Sequence, residues 1–140
     1  MTPPKQPTAP KSHLFLGHPP DSTTHSWQEW HIQAYIVQEA RRAGYTVSGS
    51  MEQAKRNHAN AGRAKATGLT AGEPDLRFYL GHGRFVMIEL KTMKGVISPA
   101  QEAYHEKLLD LGHCVRVVWA ESPADGWKQV FNILREQDQP

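Results

Sequence analysis

Apolar positions between about Ser26 and Ala43 recur every three to four residues, so Ile32, Ile36, Ala40 and Ala43 fall on one side of a helix. The polar run DSTTHS ahead of it supplies cap candidates, and Gly44 stops it. YTVSG is a short strand candidate, and the alanine-rich MEQAKRNHANAGRAKATG reads as either a helix or a loop. The pattern then changes period. DLRFYL and RFVMIELKT flank the turn GHGR, so this segment predicts an antiparallel hairpin. SPAQEAYHEKLLDLG predicts a helix with Ser98 as N-cap, Pro99 at the first helical position and Gly112 as terminator. HCVRVVWA follows as a buried strand, and SPADGWKQVFNIL as a last helix. The expected order is α, β, an open segment, β, β, α, β, α with no internal repeat, an α/β or α+β chain.

Composition trims this picture at one end. Six of the ten prolines lie within residues 1–20, so residues 1–22 are expected to form an extended or disordered arm, and 23–140 one domain. With 39% hydrophobic and 21% charged residues, the 140-residue chain suits a single modest core. No apolar run approaches the ~18 residues of a membrane span, and the start has no apolar secretory segment, so a cytosolic location is expected. The single cysteine, Cys114, excludes an internal disulfide and a multi-thiolate zinc site; in HCVRVVWA it suits a small apolar role.

Charge is distributed unevenly. Residues 41–94 hold ten Lys or Arg against Glu52, Glu73, Asp75 and Glu89, whereas 101–140 hold four against seven acids. A positive segment around a local anionic spot suits a polyanion whose phosphate meets a protein-held cation, although a solvated face with ordinary charge scatter has the same composition.

Two of the central acids lie in the hairpin. Side chains two apart on a strand share a face at roughly 6 to 7 Å, so Glu89 and Lys91 project together while Leu90 points into the core. An isolated Glu-x-Lys is commonly an internal ion pair. Asp75 alters the reading, because Pro74 fixes the backbone before it and the hairpin brings Asp75 opposite about Leu90, beside Glu89 and Lys91. Two adjacent carboxylates repel unless a cation compensates them, and oxygen donors with open positions suit Mg²⁺ or Mn²⁺. Lys91 is then placed to orient or deprotonate an attacking water and to neutralise charge on the phosphorane. Glu29 and Gln33 lie on the core-facing stripe of the first helix; a glutamate there is either part of the site or a first-turn residue favoured by the helix dipole. Glu39, off that stripe, is expected to be exposed. Gln101, one turn into the following helix, is near enough to touch the site, though a solvated glutamine is the ordinary alternative.

GEPDL, IELKT and SPAQ, in that order and spacing, resemble the PD-(D/E)xK nuclease superfamily and in particular its VRR-NUC branch, the virus-type replication-repair nucleases. The resemblance runs from about Glu29 to Trp119. It implies a restriction-endonuclease-like mixed sheet flanked by helices, with Asp75, Glu89 and the Leu90 carbonyl as metal ligands and Lys91 as catalytic. It also implies a glutamate on the first helix, matched by Glu29, which could act through a water, and a supporting glutamine, matched by Gln101. Glu73 departs from the pattern by standing where the family is often apolar, and residues 50–68 match only loosely.

On this reading Lys55, Arg56, Arg63, Lys65 and Lys94 hold phosphates on either side of the scissile one. No sequence-reading motif is present, so recognition by nucleic-acid shape is expected. The resemblance implies a Mg²⁺- or Mn²⁺-dependent DNA endonuclease acting on branched DNA such as Holliday junctions or flaps, as a homodimer, in phage or bacterial recombination and repair. A non-catalytic nucleic-acid-binding module of the same fold is the alternative. A small-molecule metallohydrolase would not need the basic 41–94 segment.

Overall fold

The computed structural model describes residues 27–50, 62–63 and 65–139. The proline-rich arm at 1–22, Lys55 and Arg56 lie outside the described residues.

Four strands form one sheet in the order β1-β2-β3-β4: β1 (Thr46–Gly49), β2 (Leu76–Tyr79), β3 (Phe85–Thr92) and β4 (Cys114–Ala120). The first two ladders are antiparallel and the third is parallel, giving the mixed sheet that was expected. The parallel pair needs a crossover, which α2 (Pro99–Asp110) supplies. Two more helices, α1 (Glu29–Arg42) and α3 (Pro123–Gln137), pack against the sheet.

One face of the sheet carries the core. Val86, Ile88 and Leu90 of β3 alternate inward and meet Leu76 and Phe78 of β2, Val118 and Ala120 of β4, and the apolar sides of α1 and α3. Ile32, Tyr35, Ile36 and Ala40 make the α1 stripe; Trp127, Val130, Phe131 and Leu134 make the α3 stripe. The helices approach closely because Gly126 carries no side chain: a Cβ there would lie 3.1 Å from Ile32 and 3.2 Å from Ile36 and Ala120. Both Ser-Pro starts hold as expected, with Ser98 Oγ accepting from Gln101 N at 3.1 Å and Ser122 Oγ from Asp125 N at 3.1 Å. Among described residues, no helix is long and apolar enough to cross a membrane.

The structure corrects several local expectations. Helix α1 begins at Glu29, and its N-cap is Gln28 rather than a Ser, Thr or Asp; the Gln28 N–H donates to His31 Nδ1 at 3.2 Å. Glu39 is buried, at 6% exposure, because it folds back toward Arg42 Nη1 at 3.4 Å. Burial, aided by the Glu39 charge, pushes the Tyr35 phenol up to about 12. Strand β4 is only partly buried because it is a sheet edge: Arg116 stands exposed 3.6 Å from Glu136, and Trp119 gives its Nε1–H to the Gly95 carbonyl. Cys114 is half-buried and packs against the core.

The hairpin register also differs by one residue. Leu76 pairs with Ile88, so Asp75 follows opposite Glu89 rather than Leu90. The cause is the turn: Leu80 N donates to Arg84 O at 2.7 Å around a 3-10 turn at Gly81–Gly83, with His82 at φ 61° and Gly83 at φ 72°.

Candidate active site

Asp75 is fixed by its backbone, its neighbours and its own carboxylate. Its carbonyl accepts from Ser50 N at 2.8 Å, and its Oδ2 accepts from Leu90 N at 2.7 Å. The side chain therefore reaches the residue that the backbone register misses. Gly72, three residues earlier, adopts φ +87°, and a Cβ there would stand 2.3 Å from the Ala100 carbonyl oxygen. Only glycine permits this approach, which seats the turn before Asp75 against the first turn of α2. The GEPD and SPAQ segments are thus one structural unit. Glu73, within the turn, is buried and paired with Arg77.

Glu89 lies on the face of β3 opposite the core and is 1% exposed. Its Oε2 accepts from Gln101 Nε2 at 3.0 Å and sits 3.3 Å from Lys91 Nζ. Gln101 is held in turn by the cap of α2, where its Oε1 accepts from Ser98 N at 2.9 Å. The other oxygen, Glu89 Oε1, is buried without a hydrogen-bond partner among the described residues and lies 3.9 Å from His105 Nε2, which likewise has none among them. Burial raises the Glu89 pKa to about 8, with the charge of Asp75 and a hydrogen bond to it pushing the same way and Lys91 opposing. Burial, and then the Lys91 charge, lowers His105. Both groups are therefore mainly neutral near pH 7, and their contact is not an ion pair.

Lys91, 7% exposed, links this pocket to α1: its Nζ lies 3.9 Å from Glu29 Oε1. Glu29 is half-exposed at the rim rather than buried on the helix stripe. Of the residues expected at the site, Asp75, Glu89, Lys91, Gln101 and Glu29 are brought together by the structure. The sequence reading did not include His105, which the structure adds to the group. The available signal was helical spacing, because Gln101 and His105 are four residues apart and so share a face of α2. Leu90 turns its side chain into the core and gives its N–H to Asp75. Among the expected phosphate-binding residues, Lys94 is exposed just beyond β3, and Arg63 and Lys65 are exposed on a short helical stretch. Beside Lys91 opens a cleft of about 540 Å³, lined by Trp27, Gln28, Glu29, Trp30, Thr92, Gly95 and Val96.

The donor set suits a hard divalent ion. Among the described residues no group of three or more His, Cys, Asp or Glu side chains could hold a metal alone. The carboxylates of Asp75 and Glu89 would leave coordination positions open, as Mg²⁺ sites commonly do for water and phosphate. The buried, unpartnered Glu89 Oε1 and the raised pKa of its carboxyl are what a missing positive charge would resolve.

No family model matches the sequence, and a search of curated proteins finds no relative. Solved structures do match. One, described as a VRR_NUC domain, superposes with a TM-score of 0.51 at 25% identity, covering 79% of this chain and 97% of its own. Another, described as a VRR_NUC domain protein, superposes with a TM-score of 0.55 at 23% identity, covering 77% of this chain and 85% of its own. The mixed sheet, its flanking helices and these superpositions agree, and the chain carries a domain of the VRR-NUC, restriction-endonuclease-like fold.

Proposed function

We propose that this protein is a Mg²⁺- or Mn²⁺-dependent endodeoxyribonuclease that hydrolyses phosphodiester bonds in branched DNA and acts as a homodimer. The observation that carries the proposal is the pairing of half-buried Asp75 with the fully buried Glu89 carboxyl, with Lys91 Nζ 3.3 Å from Glu89 and a Glu89 oxygen that has no partner among the described residues, set in a nuclease fold. Preference for four-way junctions or flaps, and the dimer, rest on the resemblance of GEPDL, IELKT and SPAQ to the VRR-NUC nucleases.

Asp75, Glu89 and the Leu90 carbonyl would hold the cation, with Glu29 acting through a water. When bound, the cation supplies Lewis acidity toward a phosphate oxygen and lowers the pKa of a water. The protein's own groups do the rest. Lys91 presents an ammonium where negative charge grows on the phosphorus centre, and a low-dielectric setting strengthens that interaction. Its neighbour Glu29 keeps the ammonium turned to the cleft. Gln101 is a positioning residue: its amide anchors Glu89 Oε2 and so fixes which way Oε1 faces. His105, neutral and buried, closes the pocket behind Glu89. Arg63, Lys65 and Lys94, with Lys55 and Arg56, hold flanking phosphates.

The test is incubation of labelled four-way junction, flap, linear duplex and single-stranded DNA with Mg²⁺ or Mn²⁺. Cleavage of the branched substrates in preference to duplex supports the reading. Binding without cleavage of any of them would instead make the chain a nucleic-acid-binding module.

A further inference from the structure

Trp30 is 42% exposed, yet it is held firmly. One face of its indole stacks on His31, with ring centroids 3.9 Å apart and planes inclined by 28°. Its Nε1–H donates to Gln28 Oε1 at 2.9 Å, which fixes the ring within its own plane. His31 also meets Trp27, whose ring lies edge-on to it at 6.0 Å and 78°. A large aromatic surface is thus fixed in one orientation with one side toward solvent. Side-chain entropy is already lost before any ligand arrives, so little more is surrendered on contact. Trp30 does not belong to the apolar core and lines the cleft of about 540 Å³ beside Lys91.

The cleft adjoins the acid pair through one shared residue, Lys91. Lys91 forms part of its wall while its Nζ stands 3.3 Å from Glu89, so a group in the cleft neighbours whatever phosphate meets Asp75 and Glu89. The polar part of the lining is Gln28, Glu29, Thr92 and Gly95, and the apolar part is Trp27, Trp30 and Val96. A flat, rigid ring with a polar rim, joined to a cationic phosphate site, fits a planar heterocycle attached to that phosphate.

On the nuclease reading, we infer that this cleft is a subsite for an unpaired nucleobase next to the scissile phosphate, with Trp30 as its stacking platform. A base inside a duplex already has both faces covered by its neighbours, so only an unstacked base can lie on Trp30. This sets the substrate class more narrowly than branching alone: the strand cut carries at least one unpaired nucleotide beside the cut, as at a flap, overhang, gap or open junction centre.

The test compares Trp30→Ala and Trp30→Phe with wild type, all as the full chain in chelator so that no strand is cut. Affinity is measured by fluorescence anisotropy for a single-stranded oligonucleotide and for a blunt duplex of the same sequence. Trp30→Ala is expected to weaken single-strand binding by about 10-fold, with duplex binding changed less than about 2-fold, given the strength of base–aromatic stacking. Trp30→Phe should recover most of the loss, because a ring is kept. Quenching of 2-aminopurine at one nucleotide of the single strand should be strong in wild type and weak in Trp30→Ala. No loss with Trp30→Ala, or an equal loss for single strand and duplex, overturns the subsite and leaves the cleft to an apolar protein segment. Because no arm requires cleavage, failure here is distinct from failure of the nuclease reading, which the metal-dependent cutting assay decides alone.

Discussion

Ile88 and Glu89 are neighbours on one strand and are buried to the same degree, at 0% and 1% exposure, yet they face opposite sides of the sheet. Ile88 enters a continuous apolar layer made by β2, β4, α1 and α3. Glu89 enters a small polar pocket with Asp75, Lys91, Gln101 and His105, in which one of its oxygens has no hydrogen-bond partner among the described residues. Equal burial therefore has opposite thermodynamic meaning. On one face it stabilises the fold, and on the other it holds a carboxyl away from its preferred charge state, which a bound cation would restore.

The largest effect expected from breaking this contrast is on catalysis. Glu89→Gln keeps the shape of the side chain and removes the negative charge that it would carry beside a bound cation, so cleavage should fall by about 1000-fold or more, on the scale of losing a principal electrostatic group. Circular dichroism of the purified variant should match wild type. On the opposite face, Leu90→Ala leaves a cavity in the apolar layer and should lower unfolding free energy in urea by about 2 to 5 kcal/mol. A variant at Leu90 that left stability unchanged would mean that the two faces are not divided as described.

Much of this division was legible in the sequence, because it is written in period-two alternation. The order of elements, the hairpin, both Ser-Pro helix starts and the meeting of Asp75, Glu89 and Lys91 follow from spacing and turn chemistry. What could not be read depends on three-dimensional closure. The one-residue register shift arises from the 3-10 turn with His82 at positive φ, which GHGR composition does not specify. The edge position of β4 depends on strand order, so the apolar HCVRVVWA overstated its burial. Glu39 was misplaced because a glutamate off the apolar stripe can still fold over it toward Arg42. His105 was overlooked because a histidine at i+4 from a glutamine carries no motif until the helix is docked on the sheet.

A smaller effect is a pH dependence of stability. The folded Glu89 pKa of about 8 lies above its ordinary value of 4.5, so the folded state retains a proton that the unfolded chain has released. In chelator, the stability due to this group is complete below pH about 4.5, declines as pH rises toward about 8, and is then lost. Urea titrations across that range should show the decline in wild type and its absence in Glu89→Gln. Adding Mn²⁺ should restore stability to wild type at pH 8 and leave the variant unmoved.

The smallest expected effect separates positioning from capping. Gln101→Ala removes both the bond to Ser98 N and the one to Glu89, whereas Ser98→Ala removes only the cap oxygen. Each should lower stability by about 1 kcal/mol. Only Gln101→Ala should also slow cleavage, so equal cleavage by the two variants would contradict the positioning role.

Single-turnover cleavage of a labelled four-way junction in Mn²⁺, comparing wild type with Lys91→Ala, tests the central claim most directly. The Lys91 ammonium is placed beside Glu89 at 3.3 Å, and its removal should reduce the rate by about 100-fold or more while leaving the fold intact. A Lys91→Ala protein that cuts as fast as wild type would contradict the assignment of this pocket as the catalytic site.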